Sequence, residues 1–277
     1  MAIYFVTGKL GAGKSLCAVG RINDYLFDGR RVATNLDLNM EYLTESDSKI
    51  TAIRLPDKPR LVDFEMLGRG HDLDRPDESQ NGLIVLDECL DFLDSRSWRD
   101  PERAPVLSWL RHARKHRWDV IFLLQDHESA DGQMVRQLCE HLVICRRLDR
   151  AKLGPVRLPK VHIAQVHYGE TKSSPAVDRW VYRGTNLYDA YDTEQCFTDE
   201  KEHLDLNGSG ELTEVDMRAP YTYLSHWHLK GRYDQPEEEK ASKLKKVMAI
   251  PLAVSFVIGF YIPKLRPYFW LPEWSKT

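Results

Sequence analysis

Residues 8–15 read GKLGAGKS, and few stretches of eight residues restrict a fold so tightly. Every fixed position of the template Gly-x-x-x-x-Gly-Lys-Ser/Thr is filled, by Gly8, Gly13, Lys14 and Ser15. The flanks agree. Ile3 to Val6 form a short apolar run that predicts a buried strand, and Leu16 to Phe27 predicts a helix. Strand, glycine-rich loop, helix is the context in which such a loop cradles phosphate. Gly8, Gly11 and Gly13 let the backbone curl so that successive N–H groups face inward. The helix beginning near Gly13 adds the positive end of its dipole. The candidate nucleotide-binding set is therefore Gly8, Lys9, Leu10, Gly11, Ala12, Gly13, Lys14, Ser15 and Leu16. Within it, Lys14 is placed to reach the β- and γ-phosphates and Ser15 to ligate Mg²⁺. The bland alternative is a glycine-rich turn that binds nothing.

The 277 residues suffice for one large α/β domain with additions, or for two smaller domains. With 42% hydrophobic and 29% charged residues, a packed core is expected rather than disorder. A net charge of −3 makes no global case for nucleic-acid binding, so any such site must be a local patch. Cys17, Cys89, Cys139, Cys145 and Cys196 include no C-x-x-C pair. They read as reduced, buried thiols, without a zinc site or a disulfide framework. The opening MAIYFVTG has no basic region followed by a long apolar run, so it is not a secretory signal.

Along the chain, Arg31 to Asn35 (RVATN) predict a second strand. Residues 36–80 are polar and mixed, with a short helix expected over 59–67 and a surface loop over 68–81. Gly82 to Leu86 (GLIVL) is a continuous apolar run, as expected of a strand buried on both faces. A helix over 103–115, an apolar strand over 120–124, a helix over 132–140 and a strand over 141–145 follow. This alternation predicts an α/β fold: a mainly parallel sheet flanked by helices, with ligands at the carboxyl ends of the strands. Gly8, the pair Asp87–Glu88 and Gln125 all fall at such ends. Residues 160–168 and 179–182 read as short strands, either a small appended β element or edge strands of the same domain. The expected organisation is a P-loop core over 1–150 and an appended mixed segment and linker over 151–240.

Four apolar residues followed by Asp87–Glu88 match the acidic partner motif of P-loop ATPases. Asp87 would hold Mg²⁺, and Glu88 would orient or polarise an attacking water, which favours hydrolysis over transfer. Taken alone, an apolar strand ending in two acids is more often a solvated turn. Gln125, ending the next strand, is placed to sense the γ-phosphate or the lytic water, or is an ordinary strand-end polar residue. Trp109 to Trp118 (WLRHARKHRW) carries Arg111, Arg114 and Arg117. Three readings stand open for it: a solvated basic face, an arginine finger for a neighbouring subunit's ATP, or a nucleic-acid contact with Trp109 or Trp118 stacking on bases.

Val247 to Ile262 is an uncharged stretch, about 24 Å long as a helix. Extended back to Leu244 with Lys245 and Lys246 snorkelling, it predicts a transmembrane helix over 244–262. Lys240, Lys243, Lys245 and Lys246 precede it, and Tyr261, Tyr268, Phe269, Trp270 and Trp274 lie at and beyond its end. The cationic flank puts the N-terminal side in the cytoplasm, with 263–277 as a short non-cytoplasmic tail. The alternative is a buried or surface-lying apolar helix, which Pro251 and the short length keep open.

Together these features resemble the zonula occludens toxin-like (Zot-like) family, the inner-membrane morphogenesis ATPases of filamentous phages. The strand leading into GKLGAGKS, the VATN strand, LIVLDE, HRWDVIFLLQ and the late membrane span after a basic cluster carry the resemblance. It covers residues 1 to about 150 well and 240–262 in layout. The chain departs from the family's pattern after Ile262, where members usually carry a substantial periplasmic domain. The family is related to the FtsK–HerA group of ring-forming motors. The resemblance implies an ATP- and Mg²⁺-dependent hydrolase, a homo-oligomeric ring, attachment to membrane lipid, and phage coat and assembly proteins as partners, with nucleic acid reached through the phage particle. It implies a single-pass protein of the host inner membrane that drives assembly and extrusion of phage. A small-molecule kinase, a nucleotide-binding scaffold and a DNA-translocating motor are the competing readings.

Overall fold

A computed structural model describes residues 3–88, 103–124, 138–147, 161–183, 187–195, 197, 201–204, 213–216 and 219–231. The chain divides into two compact units, Met1–Lys230 and Gly231–Thr277. Except for Gly231, the described residues belong to the first.

The strands are β1 (Ile3–Thr7), β2 (Val32–Thr34), β3 (Ala52–Arg54), β4 (Gly82–Leu86), β5 (Trp118–Leu123), β6 (His141–Arg147), β7 (Val161–Tyr168), β8 (Ala176–Arg183), β9 (Lys201–Leu204), β10 (Thr213–Asp216) and β11 (Tyr221–Tyr223). Among the described residues, nine form one sheet in the order β11-β3-β2-β4-β5-β1-β6-β7-β8, and β9 pairs with β10 apart from it. The run from β3 to β6 is parallel throughout. Antiparallel strands finish both edges: β11 beside β3, and β7 then β8 beside β6. Of the two readings left open for residues 160–182, edge strands of the same sheet is the one observed. The sheet thus continues past residue 150, where the sequence reading ends the core.

Among the described residues the α-helices are α1 (Lys14–Phe27), α2 (Met40–Leu43), α3 (Leu61–Leu67) and α4 (Arg103–Arg111). Side chains of successive strand residues point to opposite faces, and both faces of the central strands are covered. Leu83 and Val85 of β4 pack in one cluster with Leu16, Val19 and Ile22 of α1. Ile84 and Leu86 pack in the other with Phe64 of α3 and Leu107 and Leu110 of α4. β5 divides in the same way, with Ile121 and Leu123 on the α1 side and Val120 and Phe122 opposite. Double burial is why GLIVL and VIFLL read as unbroken apolar runs.

Three local expectations are corrected. The helix predicted over 103–115 ends at Arg111. Residues 112–117 tighten into turns closed by Lys115 N–H to His112 C=O and by Arg117 N–H to Arg114 C=O, and Arg117 adopts φ 62° to lead into β5. Ala52–Arg54 is a strand inside the stretch read as irregular. β11, in the stretch expected to be an appended segment and linker, closes the far edge of the sheet. Among the described residues no helix is long and apolar enough to cross a membrane. The predicted span, residues 132–137 of the helix expected over 132–140, Gln125, Cys89 and Cys196 lie outside them.

Candidate functional site

β1 runs between β5 and β6, and its carboxyl end opens directly into the loop. Gly8, Gly11 and Gly13 take φ of 157°, 67° and 87°. The last two lie in the left-handed region that favours glycine. Ala12 N–H closes a turn onto Lys9 C=O at 2.9 Å. Gly13 caps α1 without a side-chain partner, so the first amides of α1 remain available to an anion. Lys9, Leu10 and Gly11 are exposed, whereas Ala12 and Leu16 are buried and anchor the loop. Lys14 Nζ donates to Gly8 C=O at 3.2 Å, folding the ammonium across the loop's mouth.

Asp87 leaves the end of β4 two strands away, and Ser15 Oγ donates to Asp87 Oδ2 at 3.3 Å. Glu88 N–H caps Asp87 Oδ1 at 2.8 Å, and Glu88 itself is exposed with φ 50°. Burial pushes the Asp87 carboxyl up to about 6, against the pull of the Glu88 amide and the Ser15 hydroxyl. A cation there would favour its ionised form.

The donors fit Mg²⁺. A serine hydroxyl and a carboxylate are hard oxygen ligands within reach of one small ion, and Mg²⁺ fills its remaining positions with phosphate and water. Among the described residues no cluster of three His, Cys, Asp or Glu offers an all-protein metal cage. Bound to phosphate, the ion would neutralise developing charge on the transferred group.

The arginines lie elsewhere. Arg111 ends α4, and Arg114 and Arg117 precede the first residue of β5, at the amino edge of the parallel strands. The loop sits at the carboxyl edge. Arg114 is exposed and pairs with Glu78 at 3.0 Å. The Arg117 guanidinium binds the carbonyls of His71, at 3.1 Å, and Leu73. The chain's own fold therefore brings Lys14, Ser15, Asp87 and Glu88 together and leaves the three arginines apart. The nucleic-acid reading of this segment is corrected where it invoked tryptophan stacking. Trp109 and Trp118 are both core residues, and Trp118 Nε1 donates to Gly68 C=O at 3.0 Å.

Two residues at the site escaped the sequence reading. His162 on β7 is buried against the loop, its Nδ1 3.4 Å from Ala12 C=O and its Nε2 3.2 Å from Tyr188 Oη. Its ring leaves no room for a side chain at position 13, since a Cβ on Gly13 would lie 2.0 Å from Nδ1. Asn35, directly after β2, is buried beside Asp87. A polar amide ending an apolar strand was the available signal for Asn35; nothing local marks His162. Cys145, whose carbonyl is 2.9 Å from the site of a Cβ on Gly8, has its thiol raised well above the ordinary range by its hydrogen bond to Cys17 and by burial.

Residues 2–178 match the sequence profile of the family described as Zonular occludens toxin (Zot). The chain belongs to this family. Among its relatives, the Gene 1 protein of Enterobacteria phage fd is 41% identical over 96% of this chain and 79% of its own length. The Gene 1 protein of Salmonella phage IKe is 42% identical over 87% of this chain and 66% of that protein. Among solved structures, this Zot-family chain is similar to the N-terminal domain of zonular occludens toxin from Neisseria meningitidis. That likeness has 21% identity and a TM-score of 0.42, and covers 69% of this chain and 99% of the other.

Proposed function

We propose that this protein is a membrane-anchored ATPase that hydrolyses MgATP to drive assembly and extrusion of filamentous phage through the host inner membrane. The observation that carries the reading is the approach of Ser15 to Asp87 beneath an open glycine loop. It brings a phosphate cradle and a cation corner together at the carboxyl edge of a parallel sheet. In the reaction, the loop amides and Lys14 hold the phosphates, Ser15 and Asp87 hold the ion, and Glu88 faces solvent where it can order water. Gln125 is the sensor of the γ-phosphate, and one of Arg111, Arg114 or Arg117 completes the site of an adjacent copy in a ring. Membership of the Zot family and the phage Gene 1 relatives support the role in phage assembly. The uncharged stretch Val247 to Ile262, behind its lysine cluster, supports the anchor.

The test is phosphate release by the purified full-length protein in detergent. Release should require Mg²⁺, proceed without any acceptor, and vanish in Lys14→Ala, which should also abolish phage release from cells while leaving membrane insertion intact. Nucleotide binding without hydrolysis in every oligomeric state would overturn the hydrolase reading. Phage release that persisted in Glu88→Gln would favour a nucleotide-binding scaffold instead.

A further inference from the structure

Asn35 is 1% exposed, and its side-chain amide is spent on backbone just beyond the end of another strand. Its Oδ1 accepts from Asp87 N–H at 2.8 Å, and its Nδ2 donates to Asp87 C=O at 2.9 Å. The same Nδ2 donates to Asp57 C=O at 3.2 Å, and Asn35 N–H donates to Val85 C=O at 3.3 Å. β4 ends at Leu86. Beyond it, one side chain does for Asp87 what a neighbouring strand does for the residues before it. The pairing fixes the turn in which Glu88 takes φ 50° and its N–H occupies Asp87 Oδ1, which leaves Oδ2 to Ser15.

Asn35 is itself held from a distance. Gln195 Nε2 donates to Asn35 C=O at 2.9 Å, and Gln195 Oε1 accepts from Asp37 N–H at 2.8 Å. The chain leading to Gln195 lies along the same turn. Asn39 N–H donates to Ala190 C=O at 2.8 Å, Asp192 N–H to Asp37 C=O at 3.0 Å, and Leu38 bridges Tyr191. Tyr223 of β11 also reaches it, its hydroxyl 3.3 Å from both Leu36 C=O and Asp37 Oδ1. Two segments made late in the chain thus close on residues 35–39, and Asn35 joins that turn to Asp87.

We infer that Asn35 is a positioning residue for the cation corner formed by Ser15 and Asp87, and that Gln195 couples segment 187–195 to that corner through Asn35. A shift of this segment then changes how well the site holds a nucleotide-bound cation. The nucleotide role itself rests on the proposed function. The amide clamp does not.

The test uses the full-length protein in detergent with a fluorescent non-hydrolysable ATP analogue, titrated with and without Mg²⁺. In Asn35→Ala, the Mg²⁺ needed for half-maximal effect should rise about 10–100-fold, the range typical of lost outer-shell partners. Metal-free binding of the analogue should stay close to that of the unsubstituted protein. Phosphate release should lose kcat with KM little changed, and hydrogen exchange at the Asp87 amide should accelerate. Gln195→Ala should move each readout the same way by less, and should add nothing in the Asn35→Ala background. Asn35→Asp, which keeps the side chain's size while removing both donated bonds, serves if the alanine variant does not fold. An unchanged Mg²⁺ dependence in a folded Asn35 variant would overturn the positioning role. Parallel loss of thermal stability and metal-free binding would make Asn35 merely structural. Additive losses in the double variant would overturn the coupling through Gln195. If the unsubstituted protein binds no nucleotide, the functional reading fails, while exchange at Asp87 still reports whether the clamp exists.

Discussion

Gly20 lies in the middle of α1, where replacing glycine by alanine ordinarily stabilises a helix by about 1 kcal/mol. Here the sign should reverse. A Cβ on Gly20 would sit 2.5, 2.6 and 2.7 Å from three ring carbons of Tyr182 on β8, against an optimal carbon–carbon separation of about 3.5–4.0 Å. The ring is not free to swing aside, because its hydroxyl donates to Asp24 Oδ2 at 2.7 Å. Either that bond breaks or β8 retreats from α1. Overpacking of this kind costs about 1–3 kcal/mol, and losing a hydrogen bond to a carboxylate costs about 1.5–3 kcal/mol. Against a gain of about 1 kcal/mol, either cost leaves Gly20→Ala destabilised by up to roughly 2 kcal/mol. For a domain of this size that lowers Tm by up to roughly 8 °C. In a Tyr182→Ala background the obstacle is gone, and the same substitution should raise Tm by about 2–4 °C. Thermal unfolding of the four proteins, followed by tryptophan fluorescence, measures both effects. A rise in Tm for Gly20→Ala in the unsubstituted background, or an equal change in both, would refute the docking of β8 on α1.

Two further outcomes follow from the packing. Asp119, buried at the start of β5, accepts from Tyr25 Oη at 2.8 Å, Asn81 Nδ2 at 3.3 Å and Arg30 Nη2 at 3.4 Å. Asp119→Ala should cost about 3–5 kcal/mol in urea unfolding; a loss below about 1 kcal/mol, the scale of an exposed pair, would show the network to be dispensable. Burial, with Glu170 and Glu140 nearby, pushes the Cys139 thiol up to about 12. At pH 8 it should therefore be only about 10⁻⁴ thiolate, against roughly a quarter for a free cysteine of pKa 8.5. Alkylation at Cys139, followed by peptide mass spectrometry, should be about a thousandfold slower than that of a free thiol and should accelerate as pH rises toward 12. Rapid labelling of the folded protein at pH 8 would contradict the burial.

What the sequence disclosed tracks how locally each feature is encoded. β1, the loop, α1 and β4 were legible because a motif and a doubly buried strand each leave a contiguous trace. β3 was hidden because three residues show no periodicity, and because one of them, Arg54, is buried yet charged, paired with Asp37 and Asp57 at 2.8 and 2.7 Å. β11 is only three residues, Tyr221–Tyr223, and the outermost two are polar-tipped aromatics at an exposed edge. Within the site, Lys14, Ser15, Asp87 and Glu88 announce themselves by type and spacing. Asn35 shows only as a polar amide ending an apolar strand, and His162 not at all, because the Asp87 and Ala12 carbonyls they meet lie 52 and 150 positions away and could come from any residue. The basic segment is legible as a charge pattern but not in its contacts. Its charge pattern is local, but Arg117 is used to hold the carbonyls of a loop, which no count of cations reveals.

The central position of β1 sets a timetable for the nascent chain. β1 leaves the ribosome well before both strands it pairs with, Ile3 with Val120 and Tyr4 with His141. At roughly 5–20 residues per second, about 6–23 s separate β1 from its first neighbour in the sheet. During that interval Ile3, Phe5 and Val6, all buried in the finished fold, have neither of their neighbouring strands to pair with. The far edge is not closed until Tyr221–Tyr223 emerge to pair with Arg54, Ile53 and Ala52. Completion of the sheet therefore waits on pairings between strands far apart in the chain. Its yield during synthesis depends on how well the waiting strand is kept from other chains.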